Sequence, residues 1–215
     1  MRLRNTTEAY CLNCLKRFYL SPIRERIERK PLLCPECLKN RRKERKKRRL
    51  FATPILFLSK YDGQRKERLM KFKEYGDIVL GEAFLYYFLP WIRLFCRSSI
   101  IVPLPSSNKR NRKRGFVHLE ERLKPHSLPF LSCLRKQSDK EQKEKKAIER
   151  REEKSIFFCG NKEDIEGKKI VLFDDVLTTG ATFLQSLDEL KQLHPKSIKG
   201  LILMDNHKYE EKLTD

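Results

Sequence analysis

The stretch KKIVLFDDVLTTGATF, residues 168–183, constrains the fold of this chain more than any other, because an apolar run ends there in two adjacent acids. Continuous apolar runs of this length are typical of strands buried on both faces, as in parallel sheets. Small and hydroxyl residues follow the acids, and a helical pattern resumes at Ala181. We therefore expect a buried strand, a loop and a helix start in succession.

The rest of the second half alternates in the same way. Residues 99–102 and 198–204 have strand patterns, and residues 115–124 and 181–193 have helical periodicity. Strands that alternate with helices predict right-handed βαβ units and a mostly parallel sheet, so the fold class is α/β. In such sheets ligands bind beyond the carboxyl ends of the strands, where the two acids are expected to lie.

Asp174 and Asp175 stand where the apolar strand runs out. Their mutual repulsion calls for a magnesium ion or for donors such as vicinal sugar hydroxyls. The loop after them offers threonine hydroxyls, a glycine and the amides of a helix start, which together form a nest for a phosphate. A diol beside a phosphate indicates a ribose 5-phosphate. The alternative is a capped turn, which employs one acid and one threonine and leaves the rest without a role.

Four of the seven cysteines form two C-x-x-C pairs, Cys11 with Cys14 and Cys34 with Cys37. Their separation is typical of a four-thiolate zinc site, which is closed to substrate and therefore structural. A redox-active pair is the alternative for either C-x-x-C motif alone, but a segment this short has little core of its own and gains its stability from the metal. Cys96, Cys133 and Cys159 lack such spacing and are expected to be small buried hydrophobes.

A formal net charge of +20 favours phosphate-bearing partners or an anionic membrane surface, with a merely solvated basic surface as the alternative. Residues 38–50, LKNRRKERKKRRL, and residues 109–114 are the two densest basic runs. The first is either a solvated linker or exposed helix, or an arm that follows nucleic-acid phosphates. Neither run contains an aromatic residue, so weak and mainly electrostatic binding is expected. The candidate contacts are Arg41, Arg42, Lys43, Arg45, Lys46, Lys47, Arg48, Arg49, Lys109, Arg110, Arg112 and Lys113.

The longest apolar stretch, residues 77–95, carries Glu82, Pro90 and Arg93. Charges at a helix centre disfavour insertion into a bilayer, so a buried amphipathic helix is the preferred interpretation over a membrane span. The amino-terminal residues have no apolar leader, which favours a cytoplasmic protein with reduced cysteines.

The nine residues DDVLTTGAT resemble the phosphoribosyl-pyrophosphate loop of the type I phosphoribosyltransferases. The whole chain resembles the ComF branch of that superfamily, the competence proteins related to amidophosphoribosyltransferases. The similarity rests on the cysteine module and on further motifs in the family's order. These are Tyr61 to Gly63, Lys73, Gly76, Asp77, residues 102–105, residues 114–116, Gln142 and Arg150.

The resemblance implies a type I phosphoribosyltransferase-like sheet at residues 51–215, preceded at 1–50 by a zinc-ribbon-like module and basic linker. It implies that phosphoribosyl pyrophosphate (PRPP) binds with magnesium. Residues 140–154 alternate in charge with almost no apolar face, which predicts a solvated helix, and the resemblance adds the alternative of a mobile lid. The resemblance also implies a role in DNA uptake beside membrane-associated machinery or a helicase. The expected PRPP-binding residues are Asp174, Asp175, Val176, Leu177, Thr178, Thr179, Gly180, Ala181, Thr182, Pro105, Ser106 and Arg114.

The chain departs from the family pattern on the acceptor side, at Val117, His118, Asp139 and Glu153. His118 has no partner acid at an interpretable spacing, so no catalytic residue is assigned. Three functions compete: a phosphoribosyltransferase with an unidentified nitrogen acceptor, a competence protein that binds PRPP and single-stranded DNA, and a basic zinc module with a vestigial domain. The intact loop weighs against the third and the departures weigh against the first, which favours the second.

Overall fold

A computed structural model describes residues 7–11, 14, 16–20, 33–42, 45–61, 63, 85, 88–105, 118–136 and 156–206, with the backbone alone for Arg41, Arg42 and His118. In chain order the strands are β1 (Thr7–Tyr10), β2 (Arg17–Leu20), β3 (Lys46–Leu50), β4 (Thr53–Lys60), β5 (Ser99–Pro103), β6 (Leu134–Lys136), β7 (Ile156–Phe158), β8 (Lys169–Leu177) and β9 (Ser197–Asp205). The helices are α1 (Pro35–Arg42), α2 (Leu89–Phe95), α3 (His118–Leu123) and α4 (Ala181–Lys191).

The main sheet has five strands in the order β3-β4-β9-β8-β5. Strands β4, β9, β8 and β5 are parallel, whereas β3 is an antiparallel edge strand paired with β4. This mostly parallel α/β sheet confirms the predicted fold class, and the predicted strands near 99–102, 169–176 and 198–204 are present. Strand β4 was not predicted, although its sequence TPILFLSK is almost entirely buried.

Helices cover both faces of this sheet. A side chain placed at Gly200 would meet Ile55 and Phe183, so α4 packs on the face to which Ile55 points. Because side chains alternate along a strand, Pro54 and Leu56 point to the opposite face, where they lie beside residues of α2. The core between these layers contains Phe57, Phe173 and many aliphatic residues that are almost fully buried.

A smaller cluster of buried residues lies in the amino-terminal part. It contains Phe18, Leu20 and Leu33, together with the cysteines. Strands β1 and β2 form an antiparallel hairpin here, and α1 starts directly after Cys34. The separate cluster is consistent with an amino-terminal module, whose boundary near residue 50 stays a prediction.

The interpretation of residues 38–50 as a linker or an exposed helix is wrong for their last part. Residues 38–42 continue α1, but Lys46–Leu50 forms β3 and hydrogen-bonds to β4. A basic strand is tolerated at a sheet edge because alternate side chains reach solvent there, and charge on an edge prevents pairing with other chains. Lys46, Lys47 and Arg49 are exposed, as this explanation requires.

Within the described residues, no helix is long and apolar enough to cross a membrane. The last part of the apolar stretch 77–95 forms α2, in which Leu89 and Ile92 are buried and Trp91 and Leu94 are exposed. The amphipathic interpretation is therefore confirmed for residues 89–95, and residues 77–84 lie outside the described part.

Two of the three unpatterned cysteines are buried as expected. Burial raises the pKa of the Cys96 thiol to about 12 and that of the Cys133 thiol to about 11. The expectation is wrong for Cys159, which is exposed. It follows β7, which belongs to the small two-stranded β6–β7 sheet outside the main sheet, so it has less structure to cover it.

Candidate functional site

The two acids are the sixth and seventh residues of the nine-residue strand β8, where the strand approaches the carboxyl edge of the sheet. Asp175 is 4% exposed, and the neighbouring Asp174 is half-buried. The backbone N–H of Asp175 donates a hydrogen bond of 2.8 Å to Oδ1 of Asp174. Successive strand residues point to opposite faces, so the pair offers one carboxylate on each side of the sheet edge.

A buried arginine stands close to this pair. Arg122 of α3 is only 2% exposed, and α3 packs against β8. Burial lowers the pKa of Arg122 to about 10, while the carboxylates of Asp175 and Asp174 act in the opposite direction. The protein itself therefore supplies part of the positive charge that two adjacent acids require.

Tyr61 and Asp205 extend the polar site across the sheet edge. The N–H of Tyr61 donates to the carbonyl oxygen of Asp205 at 3.0 Å, so the residue after β4 is tied to the end of β9. Burial and the charge of Asp175 both raise the pKa of Tyr61. Tyr61, which belongs to one of the motifs of the family resemblance, thus lies within electrostatic reach of the acids.

The loop after β8 leads directly into α4. Gly180 is the N-cap of that helix with a φ of 76°, and as a glycine it offers no side chain of its own to cap the helix. Thr178 and Thr179 are exposed, and Oγ1 of Thr179 accepts a bond of 3.4 Å from the N–H of Ala181. This arrangement differs from the capped-turn alternative, because a glycine rather than an acid or a threonine occupies the N-cap position.

Gly180 is required by sterics as well as by its backbone angle. A Cβ at this position would lie 2.6 Å from Cζ of Phe51, which belongs to the turn between β3 and β4. The Phe51 ring also packs against Phe183, with 6.1 Å between the ring centroids. The β3–β4 hairpin therefore holds the loop after β8 in place at the start of α4.

The loop after β5 begins beside the acids. The N–H of Leu104 donates to the carbonyl oxygen of Phe173 at 2.9 Å, one residue before Asp174. Pro105 follows and is half-buried. Two further expected PRPP contacts, Ser106 and Arg114, lie outside the described residues, as do Lys73, Gly76, Asp77, Val117, Asp139, Gln142, Arg150 and Glu153.

The four predicted metal ligands converge in the amino-terminal cluster. The Sγ atoms of Cys11, Cys14, Cys34 and Cys37 all lie within 4.8 Å of one another, and Cys14 and Cys34 are separated by 3.8 Å. A tetrahedral zinc with Zn–S bonds of about 2.3 Å places its sulfurs about 3.8 Å apart, so the cluster fits a four-thiolate site. Burial raises the pKa of Cys34, and a metal ion overcomes this by stabilising the thiolate.

The basic strand β3 is not uniformly available to an anion. Lys46, Lys47 and Arg49 are exposed, but Arg48 lies 3.5 Å from Oδ2 of the buried Asp205. The guanidinium of Arg45 stacks over the ring of Trp91, 3.7 Å from its centroid. Lys43, Lys109, Arg110, Arg112 and Lys113 lie outside the described residues, and of Arg41 and Arg42 only the backbone is described.

Sequence reasoning did not single out Arg122 or Trp91. Arg122 shares the apolar face of α3 with Leu119 and Leu123, and a charge within an apolar stripe is the signal that identifies it. The stack of Trp91 on Arg45 joins residues 46 positions apart, and no local pattern predicts it. The basic run contains no aromatic residue in the sequence, as expected, but the fold brings Trp91 into contact with Arg45 of this run.

Comparisons with known proteins agree with this geometry. Residues 118–215 match the phosphoribosyl transferase domain family. The competence protein ComFC of Streptococcus pneumoniae is 26% identical over 94% of this chain and 90% of its own length. The ComFC protein of Bacillus subtilis is 32% identical over 57% of this chain and 51% of its own.

Among solved structures, the Giardia lamblia APRTase complexed with 9-deazaadenine has a TM-score of 0.42 and 15% identity, covering 82% of this chain and 91% of its own. The domain match includes β8, the loop after it and α4, which together hold the acids and the glycine N-cap. The chain is thus similar to the ComFC competence proteins, and its residues 118–215 match the phosphoribosyl transferase domain family.

Proposed function

We propose that this protein serves DNA uptake in natural transformation, as a cytoplasmic protein that binds PRPP with magnesium in one pocket and single-stranded DNA on basic surfaces. The competence role comes from the homologous ComFC proteins. The observation that carries the PRPP assignment is the juxtaposition of Asp174 and Asp175 with a glycine-capped helix start.

Each part of PRPP has a chemically suitable partner in this arrangement. The two carboxylates accept hydrogen bonds from the ribose 2- and 3-hydroxyls, each contributing about 1.5–3 kcal/mol. The 5-phosphate meets the amides of the first turn of α4 and the hydroxyls of Thr178, Thr179 and Thr182. The pyrophosphate lies toward the loop that begins at Leu104, which is bonded to the strand carrying the acids.

Magnesium belongs to this proposal as a companion of the pyrophosphate. The residues fit it, because Asp174 is half-buried beside a solvent-facing loop and magnesium prefers carboxylate, phosphate and water oxygens. When bound, the ion neutralises the diphosphate and thereby lowers the cost of bringing it near the acids. The buried Arg122 interacts electrostatically with Asp175, and a positive charge at this distance favours the ionised form of a carboxyl group.

The alternative function is an active phosphoribosyltransferase that passes the ribose 5-phosphate group to a nitrogen acceptor. The matched domain family favours it. The altered acceptor-side residues, including Val117 and His118, weigh against it. Binding without turnover is therefore our first choice.

Titration calorimetry with PRPP and magnesium tests the pocket. We expect a single site in the native protein and a loss of at least about 100-fold in affinity for the Asp174→Asn/Asp175→Asn variant, since two charged hydrogen-bond acceptors are removed. Asp188→Asn is the matched control, because this acid is exposed on α4 and lies away from the loop. Equal affinity in the native and double-variant proteins would place PRPP elsewhere.

Turnover is measured in the same samples by following pyrophosphate release. Release that depends on an added nitrogen compound and is lost in the double variant would establish the enzymatic alternative. No release over many hours with PRPP bound is the result that we expect.

The DNA part of the proposal is tested by salt dependence. Replacing the exposed Lys46, Lys47 and Arg49 with Gln removes up to three phosphate contacts, which reduces the slope of log K against log salt by about 2. Gln at the exposed Lys168, Lys169 and Lys196 is the matched control and leaves the slope unchanged. A DNA affinity that does not change with salt concentration would exclude an electrostatic DNA surface.

A further inference from the structure

A groove lies between the basic edge strand and α2. Its volume is about 580 Å³, and β4 contributes Pro54 and Leu56 to its lining. On one side are Trp91, Leu94 and Phe95 of α2, and the remaining lining residues are four cations: Arg45, Lys46, Lys47 and Lys199. None of these residues belongs to the DDVLTTGAT segment, and the groove lies on the opposite face of the sheet from α4.

The aromatic residues of this groove are accessible. Trp91 is 46% exposed, and the neighbouring aliphatic residue Leu94 is 65% exposed. Packing of α2 on the sheet does not require an apolar side chain at either of these solvent-facing positions. Arg45 stacks on Trp91 at 3.7 Å, and the ammonium of Lys199 lies 5.3 Å from the ring centroid of Phe95. These contacts hold flat rings and positive charges in fixed relation to each other.

We propose that this groove is the single-stranded DNA site, in which bases stack on Trp91 and the guanidinium of Arg45 while Lys46, Lys47 and Lys199 meet phosphates. This deepens the proposed function and rests on its DNA part. Stacking on aromatic or guanidinium planes beside a positively charged groove is how sequence-tolerant single-strand binders work. The sequence alone predicts weak and mainly electrostatic affinity, and this mixed mode adds base stacking to it.

Charge and shape argue for this occupant over other anions. A bilayer surface is recognised by aromatic and basic side chains that protrude, whereas here they line a concave site whose floor is the sheet. An acidic peptide matches the four cations, but it gains little from an indole stacked on an arginine. A strand of DNA satisfies both features, since phosphates and flat bases alternate along it.

The chain offers its own reporter, because Trp91 is its only tryptophan. We expect a short oligo-dT strand to quench the tryptophan fluorescence of the full chain. An abasic strand of equal length and charge should bind at least about tenfold more weakly, and it should not quench the fluorescence. Equal binding of both strands would overturn the proposed stacking.

Variants separate this inference from the proposed function. By anisotropy of a labelled oligo-dT, Trp91→Leu should lose about tenfold or more in affinity, and Trp91→Phe should retain most of it. Tyr19→Leu removes an aromatic that is 58% exposed on the β1–β2 hairpin and should change nothing, which makes it the matched control. Unchanged circular dichroism confirms that each variant folds.

Each remaining outcome has one meaning. Salt-dependent oligo-dT binding that is equally strong in Trp91→Leu would keep the proposed function and overturn the groove. Absence of oligo-dT binding in every protein would overturn both. Quenching by poly-glutamate but not by oligo-dT would also overturn the groove as a DNA site and assign it to an acidic protein partner.

Discussion

The cysteine module and the main sheet of this protein are stabilised in different ways. Among the residues that the structure describes, the sheet part buries whole aromatic side chains such as Phe57, Phe88 and Phe173, whereas three of the six buried hydrophobic residues of the module are cysteines. Within its described residues the module has only Phe18, Leu20 and Leu33 as large buried apolar side chains, which offset little of the conformational entropy lost on folding. The comparison predicts that the amino-terminal module depends on a bound metal and that the sheet does not.

Metal removal should have the largest effect, and only on the module. Zinc binding supplies about 10–16 kcal/mol to such sites, so chelation or Cys34→Ser should unfold residues 7–42 while the sheet retains its unfolding transition. Limited proteolysis is the measurement: cleavage should be confined to the region before residue 45. Cys159→Ser, at an exposed cysteine, is the control.

Metal content gives the complementary result for this prediction. We expect about one equivalent of zinc in protein purified without chelator. A sheet that melts together with the module after chelation would show that the two parts share one cooperative unit, against the comparison drawn above.

In the part of the chain that forms the main sheet and its helices, replacement of Arg122 should have the largest effect on stability. Arg122→Leu leaves the buried Asp175 without its positive neighbour, and removal of one partner from a buried charge pair costs about 3–5 kcal/mol. The variant should also need a higher pH to bind PRPP, because Asp175 then ionises less readily. Denaturant unfolding and PRPP titration across pH provide the readouts.

Arg97→Leu provides the comparison for this change, because Arg97 is exposed in the turn before β5. If Arg122→Leu and Arg97→Leu lose equal stability and bind PRPP with the same pH profile, then Arg122 has no role at the acids.

Two glycines with positive φ test how tightly the loop after β8 is held. Gly167→Ala has open space around the new Cβ and should cost only about 1–2 kcal/mol for its left-handed backbone. Gly180→Ala pays the same backbone cost and also pushes its Cβ against Phe51, so it should be about 1–3 kcal/mol worse. Thermal unfolding of the two variants measures the difference.

Restoring space should identify the cause of the Gly180→Ala defect. In a protein that already carries Phe51→Ala, Gly180→Ala should lower the stability only by the backbone cost of about 1–2 kcal/mol. Additive losses in the double variant would exclude the contact as the reason.

The smallest effect should come from a buried thiol. Burial raises the pKa of Cys133 to about 11, above its ordinary value of 9.0, so the folded state binds more protons than the unfolded state between these values. The stability from Cys133 is therefore complete below about pH 9 and is lost as the pH rises toward 11. Cys133→Ala should reduce this alkaline loss by up to about 2 kcal/mol, and Cys159→Ala should not.

Local patterns account for what the sequence could predict. The acids, the loop and α4 follow one another along the chain, and the cysteine spacing needs only two tight turns, so both were found from residue order. The β3–β4 hairpin was missed because its turn residues, Phe51 and Ala52, both have positive φ without being Gly, Asn or Asp. No turn signal marks that hairpin.

The remaining features depend on residues brought together by the fold. Arg122 reaches the acids across about fifty residues of chain, and Arg45 reaches Trp91 across a similar interval. Phe51 constrains Gly180 from an even greater separation. Periodicity identifies the elements that carry such residues but does not specify which side chains meet.

The most direct test of the account is calorimetric titration of PRPP with magnesium into the protein before and after zinc removal. The acids, Arg122 and the loop after β8 all lie in the sheet part, so we predict one binding site with the same affinity in both samples. Absence of binding in the zinc-loaded protein would contradict the assignment of the pocket. Binding that disappears with the zinc would contradict the independence of the two parts.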